Sequence, residues 1–180
     1  MERHSRRPPA PGKRIALLAC MLAWHAAVAA SDVLPVHLTG TWGTAASLHE
    51  GDAGQSQLHL DADGYGVMAG STPRPTRIDG KDHEGPQVRA VIGFPLRATL
   101  DGTTLTARVV ALDPKDAEKA RRIEITCRHE ATSPTLTCRG PGREPVVMRR
   151  FSETVPAEVA RTLEQVRSVV RQDVRPAFSR

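Results

Sequence analysis

The strongest constraint in this chain is an alternation of apolar and polar residues with period two, broken at intervals by Asp-Gly pairs. Successive side chains on a β-strand point to opposite faces, so such runs build a sheet with one buried face. In "SQLHLDADGYGVMAG", Leu58 and Leu60 alternate with Gln57, His59 and Asp61, and Asp63-Gly64 supplies the turn of a hairpin. The next run is longer. Ala90, Ile92, Phe94, Leu96, Ala98 and Leu100 share a face, Asp101-Gly102 turns the chain, and Leu105, Ala107, Val109 and Ala111 resume the pattern. Pro95 has no backbone donor to give a ladder, which points to a sheet edge or a bulge there. With "HLTGTWGTAAS" ahead, and "RRIEITCRHE", "TLTCRG" and "PVVMRRF" behind, the pattern predicts about seven or eight strands. The fold class is all-β, an antiparallel meander or barrel.

Three segments depart from that period. "STPRPTRIDGKDHEGPQ", loop 71–87, is polar, rich in Pro and Gly, and longer than an ordinary connection, so it is either a functional loop or a mobile one. "DPKDAEKA", 113–120, suits a short helical turn. From Thr154, a candidate N-cap, Pro156 falls near a first turn, and Val155, Val159, Leu163, Val166 and Val170 recur at helical spacing. A C-terminal helix over 155–174 follows. Glu158, Arg161, Glu164, Arg167 and Arg171 occupy its intervening positions and read as the solvated face of a helix packed on the sheet. The alternative is a basic amphipathic helix docking on a membrane or partner, against which the interspersed glutamates weigh.

Residues 1–30 have the three parts of a secretory signal peptide: Arg3, Arg6, Arg7, Lys13 and Arg14, an apolar run from Ile15, and the small residues of "HAAVAA". Cleavage after Ala29 or Ala30 leaves one domain, 31–180. The apolar stretch Ile15 to Ala30 is shorter than the roughly 20 residues a spanning helix needs, so the mature protein is expected to be soluble, with no transmembrane segment. Export to a bacterial periplasm is the expected destination. "LLAC" at 17–20 keeps open a lipoprotein anchored through Cys20. "SRR" at 5–7, followed by two prolines, is a weaker hint of a twin-arginine signal.

The leader also accounts for the charge. The chain has 25 Lys and Arg against 20 Asp and Glu; removing the leader's five bases and one acid leaves 20 against 19. With mature aromatics limited to Trp42, Tyr65, Phe94, Phe151 and Phe178, neither a basic footprint nor a base-stacking platform remains, and nucleic acid is not an expected partner.

"ITCRHEATSPTLTC" holds the two cysteines outside the leader. Cys127 shares a face with Ile123 and Ile125, Cys138 shares one with Leu136, and Thr132-Ser133-Pro134 turns the chain between them. The two sulfurs then lie opposite one another in a hairpin, and an oxidising compartment makes them a disulfide worth about 3 kcal/mol. The spacing is not that of a C-x-x-C redox pair. Three His-Glu dipeptides, at His49, His83 and His129, lack the second histidine a zinc protease helix needs; Ala53, Gln87 and Ser133 stand there instead. No nucleophile elbow, phosphate loop or dinucleotide fingerprint occurs, so the reading assigns no catalytic residue, no metal ligand and no cofactor, and the protein is expected not to be an enzyme. Asp61 and Asp63 read as turn residues, and the mixed charges of "DGKDHEG", 79–85, as a solvated loop.

Gly40-Thr41-Trp42 in the first strand, the run of hairpins and the helix after the last strand together resemble a lipocalin-like small secreted β-barrel. The resemblance implies that an arginine of the final strand, Arg149 or Arg150, covers Trp42 at the closed end of the barrel. It also implies a carrier of a small apolar ligand, with an interior lined by residues such as Leu58, Leu60, Ile92, Phe94 and Leu105. Periplasmic inhibitors of proteases or lysozyme share the layout, and they imply the alternative, a protein-interaction or inhibitor module acting through loop 71–87.

Overall fold

The structure, a computed structural model, describes residues 33–75 and 89–174. The expected leader and cleavage site, Cys20, His83-Glu84 and the 79–85 cluster lie outside the described residues, as does most of loop 71–87.

Eight antiparallel strands close into a barrel in simple chain order. They are β1 Gly40–Gly43, β2 Ser56–Leu60, β3 Tyr65–Ser71, β4 Val91–Asp101, β5 Thr104–Val109, β6 Glu124–Glu130, β7 Thr135–Arg139 and β8 Val146–Ser152. The Asp-Gly turns form where the alternation breaks. At the β2–β3 turn Gly64 takes a positive φ of 81°, while the carboxylates of Asp61 and Asp63 accept from the Ala62 and Tyr65 N–H groups. Segment 113–120 forms a 3-10 turn, capped by Asp113 through the Lys115 N–H, and the short helix α1, Ala117–Arg121. The barrel closes where β8 pairs with β1, and the register shifts between Thr41 and Trp42. Gly40 permits that seam. Its φ is 103°, and a Cβ there would sit 2.1 Å from the Ser152 carbonyl oxygen. The glycine of the G-x-W triplet is therefore required sterically.

One row from every strand points inward. Trp42, Leu60, Leu96, Leu105, Leu136 and Met148 are all 0 % exposed, so no void large enough for a water borders them. Leu58, Ala98, Ala107 and the cystine Cys127–Cys138 complete the packing. An eight-stranded barrel is narrow enough for its own side chains to fill. Cys127 and Cys138 pair directly across β6 and β7 and are bonded, with both sulfurs buried in this interior.

The second helix, α2, spans Ala157–Val174 and lies outside the barrel, where Val159, Leu163, Val166 and Val170 cover Tyr65 and Val67 of β3 together with Val110. It begins two residues later than the expected 155. The Thr154 hydroxyl bonds that of Ser152, and the first helical bond runs from the Ala160 N–H to the Pro156 carbonyl. Among the described residues no helix is long and apolar enough to cross a membrane.

Two expectations need correction. Arg167 is not on the solvated face. Four residues beyond Leu163, it is buried at the edge of the helix seam, where its guanidinium donates to Asp61, Asp63 and Glu164 at 2.7 Å. Ile92 does not line the interior. Its row is the inward one, but β4 starts well before its neighbour β5 ends, so Ile92 stands above the barrel and is 71 % exposed.

Candidate functional site

The two ends of the barrel are built differently, and the candidate site follows from that difference. At one end the chain before β1 folds across the opening. Leu34 and Leu38 drop into the interior, and the Leu34 N–H bonds the Ala62 carbonyl of the β2–β3 turn at 2.8 Å. The Trp42 indole N–H donates to the Leu38 carbonyl at 2.9 Å, satisfying the one polar atom of a buried ring. Arg150 stands over that ring, its guanidinium carbon 5.9 Å from the ring centroid, and donates to the carbonyls of Val36 at 2.7 Å and Thr39 at 2.8 Å. Cation–π attraction and charge-assisted hydrogen bonds thus tie strand β8, the plug and β1 together. Of the two candidate arginines, Arg150 has the inward position shared with Met148, whereas Arg149 is exposed on the outer face.

Two imidazoles sit beside this plug. His37 and His129 have ring centroids 5.0 Å apart, and His129 meets Trp42 edge-on at 6.1 Å. Burial, then the neighbouring His37, push the His129 imidazole below its ordinary range, against an opposing pull from Glu130. His59 lies under the start of α2 and is held down by burial against the pull of Glu158, while its Nδ1 shares a hydrogen bond with the Thr41 hydroxyl at 3.1 Å. His49 is on the surface of another loop. Among the described residues no group of three or more metal-ligating side chains comes together.

Nearby, Tyr65 is flanked by two guanidinium groups, Arg97 at 5.2 Å and Arg167 at 5.6 Å from its ring. Burial raises the Asp63 carboxyl, but the hydrogen bonds from Arg167 and from the Tyr65 N–H outweigh it, and the net direction is down. Arg167 is pushed further up, first by its bond to Asp63. This cluster clamps α2 to the β2–β3 turn and is a structural joint.

The opposite end carries the connections 44–55, 110–123 and 140–145, together with the two roots, 72–75 and 89–90, of the connection between β3 and β4. On one side 44–55 and these roots are locked together. Arg89, only 7 % exposed, donates to the carbonyls of Ala53 at 2.9 Å, Glu50 at 3.4 Å and Gly51. The Arg74 N–H bonds the Asp52 carbonyl, and Gln55 and Ser71 bond each other through backbone and hydroxyl. The sequence reading missed Arg89, because a buried arginine that caps backbone carbonyls has no periodic signature. Elsewhere no described residue covers this end. Val91, Ile92, Leu112 and Ile123 are 45, 71, 53 and 36 % exposed, and Met68, Phe94 and Val146 are half-buried above the filled interior. Leu58, Leu60 and Leu105, named with Phe94 and Ile92 as candidate ligand contacts, are closed off beneath them.

The candidate site is this open rim, an apolar surface with one firmly braced side and no acid–base or nucleophilic pair among its described residues. No protein-family model matches the chain, and no curated protein or solved structure matches it.

Proposed function

We propose that the protein is an exported, non-enzymatic binding module that meets its target at the open rim of the barrel, and that the target is another protein. The observation that carries this reading is the combination of a filled interior with Val91, Ile92, Leu112 and Ile123 exposed together at the open end, where the plugged end exposes Val33 and Val36. A pocket for a drug-sized ligand needs roughly 300 Å³ or more of concave space, and side chains with no exposed surface leave none among themselves. Exposed apolar groups beside a rigid support are instead the make-up of a protein contact. Loop 71–87 springs from this same end, and Arg89 holds its C-terminal root to the first loop. Carriage of a small apolar ligand, the other reading of the barrel, would be confined to the level of Met68 and Phe94.

The test is site-specific photocrosslinking in the producing cell, with the reactive group at Leu112 or Ile123 and, as a control, at Val36 on the plugged end. One discrete adduct with a protein other than this chain from the rim positions, and none from Val36, is the expected result. Small-molecule adducts from the rim, or equal yields at both ends, contradict it.

A further inference from the structure

Strand β4 outruns its neighbour. It pairs with β3 over its first half, from Ser71–Val91 to Tyr65–Arg97, but its pairing with β5 begins only at Leu96–Val109. In an antiparallel ladder the backbone groups of alternate residues point to opposite neighbours. The Ala90 carbonyl accepts from the Thr72 N–H on the β3 side, and the Pro95 carbonyl accepts from the Val110 N–H on the β5 side. Even-numbered residues therefore bond β3, and the N–H and C=O of Val91 and Gly93 face the place where β5 has already ended. Among the described residues no strand pairs with them there. Ala90, Val91, Ile92 and Gly93 are exposed in succession, so both faces of this segment stand clear of the barrel. Pro95 closes the free edge at its lower end, since it has no N–H to leave unpaired.

Natural edges are normally short, charged or covered, and this one is short but apolar. We infer that the edge Val91–Gly93 pairs with the same edge of a second copy of this chain. The pairing takes up Val91 and Ile92 of the rim and leaves Leu112 and Ile123 to any further protein bound there. The residues fit a two-fold axis through Ile92. In that register Val91 of one copy lies opposite Gly93 of the other, which gives four backbone hydrogen bonds around the axis. On the outer face each Val91 side chain packs over a glycine that offers no side chain of its own. On the inner face the two Ile92 side chains lie side by side, and Ala90 faces Phe94 across the axis. Alternative registers lose by comparison. Placing Gly93 opposite itself sets Val91 against Pro95, which has no N–H to give and whose carbonyl already accepts from Val110. The four-stranded sheet so formed, β3–β4 with β4–β3 of the second copy, is an isologous contact. An edge of three residues makes a small contact, so the dimer should appear with rising protein concentration.

Sedimentation and thiol crosslinking test this in the exported, oxidised chain, with C20S added wherever the leader is retained. The expected results are a concentration-dependent dimer and an I92C variant that forms an intermolecular disulfide much faster than V36C on the plugged end. V91C and G93C should crosslink when mixed and far less when each is alone. G93P removes two of the four bonds and should weaken the dimer about tenfold or more, leaving the intramolecular disulfide and the fold's unfolding midpoint near the parent values. A chain that stays monomeric at high concentration, an I92C no faster than V36C, or an edge that binds an extended apolar peptide but not its own copy would each overturn the inference.

Discussion

The plugged end and the open end of this barrel are made from the same alternating strands, yet they spend their side chains in opposite ways. At the plugged end every polar group of a large buried residue is matched: the Trp42 indole by Leu38, the Arg150 guanidinium by Val36 and Thr39. At the open end the braced side is matched in the same manner, through Arg89, but Ile92 and Leu112 are left in water. Marginal stability comes from burial, so residues that bury nothing are dispensable for folding and available for contact. The difference therefore separates the side chains that hold the fold from those left free for contact.

The largest effect is expected at the plug. Trp42→Ala removes a ring with no exposed surface and should cost about 3–5 kcal/mol, read from urea unfolding. Removing the cystine with C127A/C138A should cost about 3 kcal/mol, because a closed loop of the unfolded chain is released and two buried atoms are lost from the packing. Arg167→Gln breaks the bonds to Asp61 and Asp63; since both carboxylates remain partly exposed, the loss should be about 1–3 kcal/mol, with amide exchange in α2 rising before that of the barrel. Ile92→Ser should change stability by less than about 0.5 kcal/mol, and a much larger cost would erase the contrast between the ends.

Acidity sharpens the same contrast. His59 and His129 both have folded-state pKa values below their ordinary value of 6.5, so the fold favours their neutral forms. Their contribution is full above that value and is lost as pH falls through and below it. The Asp63 carboxyl is also held down, and its contribution is lost only on further acidification, below its ordinary value of 3.8. Both histidines border the plugged end or the helix seated beside it. The urea midpoint should therefore drop between pH 7 and 5, and His59→Asn combined with His129→Asn should flatten that drop. An unchanged slope in the double variant would assign the acid sensitivity elsewhere.

Much of the fold was legible because the alternation and the Asp-Gly turns act over a few residues. The hairpins at Gly64 and Gly102, the cystine and the C-terminal helix all followed from local rules. Barrel closure did not, since a meander and a barrel share the same pattern until β8 meets β1. Arg149 and Arg150 could not be separated in the sequence because Val146 and Val147 are both apolar, which blurs the parity of β8. Alternation gave the face of Ile92 correctly but not its height above the barrel, which depends on where β5 stops. Pro95 did carry part of that information: it stands where the pairing of β4 with β5 stops, just below the free edge. Arg89 and Arg167 are fixed by partners 36 and 104 residues away, and a window of a few residues holds no trace of them.

Native mass spectrometry of the folded protein, purified from the cells that make it, tests the central claim most directly. A filled barrel that works at its rim predicts the mass of the disulfide-bonded chain alone, with no organic molecule retained in the monomer. A stoichiometric apolar molecule released only on unfolding would mean that the interior opens to hold it, and would contradict the account.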